Sequence, residues 1–288
     1  MSTERPESLE RDIRGLDRLE LPMEGAEARG RRMWRSVWPK LVATGLALAT
    51  WQVVVWTGWK PPFVLPPPGR VLNELAELVG TARFWSAVAT TLRRAAVGYA
   101  AAVVLGSALG LAVTQISTLR RAMGSLITGL QSMPSIVWFP FAILLFGISE
   151  AAIFFVVVLG AAPSIANGLI SGVDHIPPLL LRAGRVLGAR GWVSWFHVVL
   201  PASLPSFLAG LKQGWAFAWR SLMAGELLVI IAARPSLGAQ LQFARELSDA
   251  PALVAMMIVV LVIGIGVDAF VFGSLERRLR RNRGLIAT

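Results

Sequence analysis

The segment Arg182–Pro201, RAGRVLGARGWVSWFHVVLP, is the stretch that most narrows the choice of fold. It separates two long apolar runs, yet it carries three arginines and a histidine, so it is too polar to lie among lipid chains. A long polar connection inside an apolar chain is usually functional rather than a passive link. We therefore expect a functional loop here, with membrane-spanning segments on either side.

The composition is that of a membrane protein. Of the 288 residues, 55% are apolar and only 16% are charged, and the charges are bunched. The runs Ser125–Ser149 and Ala151–Val173 contain no charged residue. Each run is longer than the ~20 residues that a helix needs to cross a bilayer. The chain is therefore predicted to be an all-α, multi-pass membrane protein.

The basic charge and the rare reactive residues exclude several function classes. A net charge of +11 would ordinarily suggest nucleic-acid binding. Here the arginines flank apolar runs, so membrane topology explains them. No nucleic-acid partner is therefore expected. The sequence contains no cysteine, which excludes disulfide and thiolate sites. Two histidines, His175 and His197, are too few for a zinc site of the usual kind.

The lysines exclude one route to ATP hydrolysis. None of Lys40, Lys60 and Lys212 follows a glycine and precedes serine or threonine, so no phosphate-binding P-loop is present. We therefore expect a chain that is not itself an enzyme and binds no cofactor. If it pumps a solute, the energy comes from another polypeptide.

The order of apolar runs predicts six spans with both termini in the cytoplasm. The spans cover residues 41–59, 95–113, 125–147, 151–172, 205–233 and 251–272. A short amphipathic helix over 71–79 is expected at the outer interface. Lys and Arg are then concentrated on the inner side, which also places the polar loop there. The predicted domains are a tail over 1–40, a membrane domain over 41–275 with the loop 174–204 inside it, and a basic tail over 276–288.

The third span carries the first candidates for a translocation pathway. Gln131, Ser132 and Ser135 stand beside Pro134, and Pro140 follows. Prolines leave backbone carbonyls unpaired, which is tolerated only where protein or a water-filled cavity covers them. The polar face is therefore a candidate pathway lining, and close packing of small residues in a kinked helix is an equally good explanation.

Polar residues in the fourth and fifth spans extend this set with Asn167, Gln213, Arg220 and Glu226. An arginine near the middle of a bilayer costs ~3 kcal/mol, so Arg220 should face water or a partner. Glu226 is on roughly the opposite side of the same helix, so the two are not expected to pair. Arg220, with Arg93 and Arg94 at the outer mouth, would favour a small anion.

The loop has the spacing of a known motif. Ala183, Gly188, Val198 and Leu200-Pro201 resemble the "EAA" loop of ABC importer permeases, Glu-Ala-Ala, three residues, Gly, nine residues, Ile-x-Leu-Pro. The resemblance extends over residues 65–281 and is strongest to the nitrate, sulfonate and taurine group, most like an aliphatic sulfonate permease. The other segments that support the resemblance are Leu65–Pro68, Ser132–Pro140, Phe146–Ala151 and Ala224–Leu227.

Two positions depart from that pattern. Arg182 stands where the family has Glu, which reverses the charge of a contact to the ATPase, and Gly184 stands where it has the second Ala. Gly188 is expected to form a turn with positive φ. Simple positive-inside anchoring is the alternative for the arginines, and for Arg190 it is preferred. The ATPase-coupling residues implied by the resemblance are Arg182, Ala183, Gly184, Arg185, Gly188, Ala189, Leu200 and Pro201.

The resemblance implies a type I (MetI-like) permease fold in the bacterial cytoplasmic (inner) membrane. It further implies a homodimer in membrane lipid, a separate ABC ATPase that uses ATP and Mg, and an extracytoplasmic substrate-binding protein. The implied cargo is an aliphatic sulfonate, with nitrate, taurine or bicarbonate as competitors.

Two other functions are weighed against this one. A secondary transporter or channel would leave the long inner loop without a role. An intramembrane hydrolase built on Ser171 and His175 lacks a third group that orients the histidine.

Overall fold

The structure, a computed structural model, describes residues 26–282, and the chain divides into two units, Met1–Lys60 and Pro61–Thr288. In the first unit, helix α1 covers Ala26–Trp56 and contains Pro39. Most of the predicted first span therefore lies in α1, and so do residues 26–40 of the predicted tail. Residues 1–25 of that tail lie outside the described residues.

Every regular element of the second unit, over residues 61–282, is a helix, so the all-α prediction is confirmed. In chain order the helices are α2 (Pro68–Val79), α3 (Ala82–Gln115), α4 (Ser117–Ser132), α5 (Phe139–Phe146), α6 (Glu150–Asp174), α7 (Pro178–Val186), α8 (Gly191–Leu228), α9 (Leu237–Glu246) and α10 (Ala250–Arg281). A short 3₁₀ turn, Ser135–Trp138, precedes α5. The backbone of α8 has a π-helical turn at Trp195–Val199.

Four helices of the described part, α3, α6, α8 and α10, are long and apolar enough to cross a membrane. The pair α4 and α5, bent by 98°, makes a fifth candidate. The count of six spans and the cytoplasmic termini stay predictions. Residues 276–281 of the predicted basic tail continue α10, and residues 283–288 lie outside the described part.

The second predicted span lies within a longer helix. Helix α3 begins at Ala82, so the predicted segment 95–113 is only its later part. The prediction placed Arg93 and Arg94 at the outer mouth, just before the span. The structure places both inside the helix, where both bind carboxylates of other helices.

Helix α6 lies at the centre of the second unit, between α3 and α8. Glycines set both contacts: a Cβ added to Gly106 of α3 would lie 2.6 Å from the carbonyl oxygen of Ala162. On the other side, a Cβ added to Gly168 of α6 would lie 2.5 Å from the Cα of Gly210 in α8. Small residues let helix backbones approach this closely in membranes, where packing rather than burial from water drives association.

Candidate translocation cavity and coupling loop

The break between α4 and α5 forms one wall of a cavity of about 390 Å³. Helix α4 ends at Ser132, just before Pro134, because a proline disfavours helical backbone in the preceding residue. The wall opposite the break comes from α6 and α8. Four of the predicted pathway residues line this one cavity: Gln131, Ser132, Ser135 and Arg220. The rest of the lining is mostly apolar.

Arg220 supplies the only charged side chain in this lining. Its Nε donates to the carbonyl of Ala216 at 3.0 Å, and its guanidinium carbon lies 4.8 Å from the centre of the Phe217 ring. Within residues 26–282 it forms no ion pair with a carboxylate. The cavity therefore contains a positive charge that no described acid neutralises.

Asn167 and Gln213 lie outside the cavity lining, and both are exposed. Each stands seven positions from a lining residue, Asn167 from Gly160 on α6 and Gln213 from Arg220 on α8. Seven residues are about two helical turns, so each lies on the same face as its lining residue. In both helices the shift is towards the end that joins the polar loop.

Glu226, which was predicted to line the pathway, lies outside the cavity lining. Its carboxylate is fully buried, accepts from Arg94 Nη1 at 3.0 Å and from Thr91 Oγ1 at 2.9 Å, and also accepts from the backbone N–H of Gly238 at 3.1 Å. Arg94 also donates through Nε to Glu150 at 3.0 Å. This charge cluster joins helices rather than lining the cavity.

Arg94 therefore offers no free positive charge at an outer mouth, whereas Arg93 and Arg234 share Glu150 and stay about half exposed. Arg94 is 1% exposed and bound to two acids, and Arg93 donates to Glu150 at 2.8 Å. Sequence reasoning missed the cluster because Arg94 and Glu226 are 132 residues apart. The sequence did contain a signal, because Glu150 and Glu226 lie in apolar surroundings. A buried carboxylate in such surroundings needs a cation.

The polar loop begins with helix α7, whose end has the geometry predicted for Gly188. That glycine has φ = 84°, its N–H donates to the carbonyl of Arg185 at 3.1 Å, and the N–H of Ala189 donates to the carbonyl of Gly184 at 2.9 Å. These two bonds around a left-handed glycine are a Schellman motif, which satisfies the last carbonyls of a helix. The predicted positive φ is confirmed.

Gly184 has a packing role in the structure. It is buried, and a Cβ added to it would lie 2.9 Å from Cγ2 of Val198. Val198 belongs to the π-helical turn of α8, which leads directly into Leu200 and Pro201. Helix α7 therefore packs closely on the start of α8. A methyl group at position 184 would not fit without a shift of its neighbours.

The loop has exposed apolar residues, which we call its apolar tip. Val186 is 88% exposed, Leu187 86% and Trp192 78%, and the ring of Trp192 stacks on Phe196 with centroids 6.2 Å apart. The three arginines of the loop and Ala183 are also exposed. An exposed apolar patch rimmed by charge is typical of a surface that binds another protein.

Ser171 and His175 do not form a nucleophile–base pair. Ser171 Oγ lies 3.3 Å from His175 Nδ1, but this nitrogen also lies 2.8 Å from the carbonyl oxygen of Ser171. A ring nitrogen that bonds a carbonyl must carry the proton, so it cannot accept one from the hydroxyl. Among the described residues there is also no cluster of three or more His, Cys, Asp or Glu that could hold a metal ion.

Comparison with known proteins finds a matching family and named relatives. The profile of the family described as "Binding-protein-dependent transport system inner membrane component" matches residues 102–281, which include the cavity and the loop. The taurine transport system permease protein TauC of Escherichia coli (strain K12) is 30% identical, over 86% of this chain and 93% of that protein. The putative aliphatic sulfonates transport permease protein SsuC of Bacillus subtilis (strain 168) is 27% identical, over 91% of this chain and 95% of that protein.

A solved structure shares the fold. A chain of the MetNI methionine ABC transporter, in inward-facing conformations, superposes with a TM-score of 0.58 and 20% identity, over 68% of this chain and 96% of that one. The predicted MetI-like fold is confirmed.

Proposed function

The chain belongs to the family of binding-protein-dependent transport system inner membrane components, and on that premise we propose that it carries a small organic anion, an aliphatic sulfonate in first place, through the cavity at Arg220. It is a permease of the ABC-transporter type rather than the ATPase subunit, and a multi-pass membrane protein. In the proposed complex it acts as a homodimer in the bacterial inner membrane. A separate ATPase consumes ATP and Mg, and an external binding protein delivers the solute.

One observation indicates that the cargo is negatively charged: the guanidinium of Arg220 in the cavity wall has no described acid beside it. By contrast, the buried arginine of α3, Arg94, is paired with Glu226 and Glu150. A positive charge with low-dielectric walls attracts anions and repels cations. A neutral solute would leave this charge unpaired during passage, whereas an anion would pair with it.

The apolar part of the lining supports an organic anion. Ile136, Trp138, Leu159 and Phe217 line the same cavity as Arg220. An alkylsulfonate matches both features, because its headgroup pairs with the arginine while its short chain contacts the apolar wall. Nitrate and bicarbonate have no apolar part to place there. The cargoes named for the relatives, taurine and aliphatic sulfonates, both carry a sulfonate group.

The loop supports a mechanical link to the ATPase. The apolar tip, Val186, Leu187 and Trp192, would fill a groove on that subunit. Because Gly184 of α7 packs directly on Val198 of α8, a displacement of the tip moves the helix that carries Arg220. ATP-driven closure of the ATPases would thus change the access of the cavity from one side of the membrane to the other.

The test is reconstitution of the chain with its ATPase and binding protein in proteoliposomes. We expect uptake of a labelled alkylsulfonate that requires ATP inside and persists when a protonophore collapses the proton gradient. Arg220→Gln should reduce uptake at least tenfold while assembly and basal ATP hydrolysis remain. Arg245→Gln is the matched control, since Arg245 is exposed and lies outside the cavity.

Uptake that ignores ATP and follows the proton gradient would instead identify a secondary transporter. Full activity of Arg220→Gln would remove the charge argument and with it the assignment of an anion.

A further inference from the structure

The outward face of helix α7 carries one arginine between two exposed apolar side chains. Leu179, Arg182 and Val186 follow one another at intervals of three and four residues, so they form a row along one face of the helix. Leu179 is 73% exposed, Val186 is 88% exposed, and Arg182 is exposed between them. Gly184, which packs on Val198, lies on the opposite side of the helix. The row is therefore turned away from α8.

No acid of the loop neutralises this positive charge. Residues 175–225 contain no Asp or Glu, although they include the three arginines of the loop. The acids at the two ends of that range are engaged, since Asp174 binds Arg120 and Glu226 binds Arg94. Among the described side chains, none of the loop's arginines forms an ion pair. The exposed surface of the loop is therefore both apolar and positively charged.

The position of Arg182 within the row restricts what can cover it. Any surface that buries Leu179 and Val186 also removes water from the arginine between them. A charge buried without a counter-ion costs free energy, whereas a guanidinium can form two parallel hydrogen bonds with one carboxylate. A surface that covers this row is therefore expected to be apolar at both ends and acidic in the middle.

We propose that α7 docks in an apolar groove of the partner ATPase whose wall carries an Asp or Glu side chain opposite Arg182. The proposal rests on the proposed function and deepens it, because it gives the chemistry of one partner surface. The contact is opposite in sign to the one that the family pattern implies. Anionic lipid headgroups are the other source of negative charge. However, a helix resting on a bilayer turns its apolar face towards the membrane, and this row is turned away from α8, which enters the membrane.

The first experiment converts the proposed contact into a covalent bond in the complex of permease and ATPase. Arg182→Lys keeps the positive charge and supplies a primary amine, which a carbodiimide joins to a neighbouring carboxylate as an amide, with loss of water. Lys40, Lys60 and Lys212 all lie outside the loop, so the wild-type loop has no amine to react. We expect a cross-linked product of permease and ATPase, and peptide mass spectrometry should identify the Asp or Glu of the ATPase at the joint.

Arg121→Lys is the matched control for the cross-link. Arg121 is exposed and adjoins Arg120, whose bond to Asp174 places it near the end of α6 that leads into the loop. Because Arg121 belongs to α4 and not to the docking helix, its variant should give no more cross-link to the ATPase than the wild type does.

The second experiment measures the affinity of the ATPase for the permease in nanodiscs of zwitterionic lipid, where anionic headgroups cannot contribute. Arg182→Glu should weaken binding about tenfold or more, because it sets two carboxylates against each other in the groove. Arg121→Glu should bind like the wild type. Replacing the cross-linked acid of the ATPase with Arg should restore the binding of Arg182→Glu, since the pair is then formed with its charges exchanged.

Two results would overturn the acidic groove: an Arg182→Lys complex with no more cross-link than Arg121→Lys, or wild-type affinity of Arg182→Glu in zwitterionic nanodiscs. An effect of Arg182→Glu that appears only after anionic lipid is added would assign the arginine to headgroups and also overturn it. Each of these leaves the proposed function standing if ATP-driven uptake is observed. Absence of ATP-driven uptake of any anion by the reconstituted wild-type complex would instead remove the proposed function.

Discussion

Arg94 of α3 and Glu226 of α8 form an ion pair from which solvent is excluded, with 3.0 Å between Nη1 and Oε1 and exposures of 1% and 0%. Thr91 and the N–H of Gly238 complete the bonding of the carboxylate. Arg94 also binds Glu150, the first residue of α6, so one guanidinium connects three helices. The other end of α6 leads into the coupling loop, so this cluster fixes the opposite end of the bundle.

Removing one partner of this pair should be severely destabilising. Glu226→Leu leaves the Arg94 charge buried without its main acceptor, and breaking such a pair costs about 3–5 kcal/mol. We expect a large loss of folded protein, measured as thermal unfolding of the detergent-purified chain. Arg94→Met with Glu226→Leu should regain much of that loss, because no buried charge then remains.

The exposed neighbour of the pair provides the control. Arg93 also binds Glu150, but its side chain is 52% exposed. Arg93→Ala should therefore cost only about 0–1 kcal/mol. A Glu226→Leu variant as stable as Arg93→Ala would show that the buried pair does not hold the helices together.

The crossing of α6 and α8 makes a second prediction about stability. Gly168 and Gly210 face each other there, and a Cβ on Gly168 would lie 2.5 Å from the Cα of Gly210. Since backbone rather than a flexible side chain occupies that space, Gly168→Ala should force the helices apart and cost about 1–3 kcal/mol.

A glycine in open space serves as its comparison. Gly129 lies inside α4, and an added Cβ there meets nothing within 4 Å. Gly129→Ala should be neutral or stabilising by up to about 1 kcal/mol, because alanine favours a helix. Thermal unfolding of the two variants side by side measures the difference, and equal midpoints would contradict the close crossing.

Part of the fold and of the cavity could be predicted from local signals. Pro134 breaks a helix wherever it falls in an apolar run, so the bent span was predictable. Gln131 and Arg220 stand out because polar groups inside spans are costly, and both line the cavity. Gly188 was predictable because glycine is the residue that a left-handed helix end requires.

What could not be predicted depends on contacts between distant parts of the chain. The pairing of Arg94 was not predicted because a paired arginine looks the same in sequence as an arginine at a membrane surface. Gly168 and Gly210 give no signal at all, since small residues are common in packed membrane helices. Their significance appears only when α6 and α8 are brought together.

The apolar tip of the coupling loop makes a prediction about assembly. Leu187 is 86% exposed, so Leu187→Asp should leave the fold of the permease intact. If the tip fills a groove on the ATPase, burying an unpaired carboxylate there is costly, and the ATPase should no longer co-purify. Leu247→Asp is the control, because Leu247 is 79% exposed but lies at the end of α9. Co-purification at the wild-type level with Leu187→Asp would contradict docking at this tip.

The contact between Gly184 and Val198 makes the last prediction, which concerns transmission rather than docking. Gly184→Ala restores the alanine of the family pattern but places a methyl group 2.9 Å from Val198 Cγ2, so the Val198 side chain must turn or α7 must move away from α8. We expect ATP hydrolysis in the assembled complex to continue while uptake per ATP falls. Adding Val198→Ala removes Cγ2 and leaves the Val198 Cβ position at 3.8 Å, an ordinary contact, so the double variant should regain coupled uptake. The measurement is the ratio of solute transported to ATP hydrolysed in proteoliposomes. If Gly184→Ala alone keeps the wild-type ratio, the contact between α7 and α8 does not transmit the motion of the ATPase to the membrane helices. The π-helical turn at Trp195–Val199 would then be only a structural irregularity.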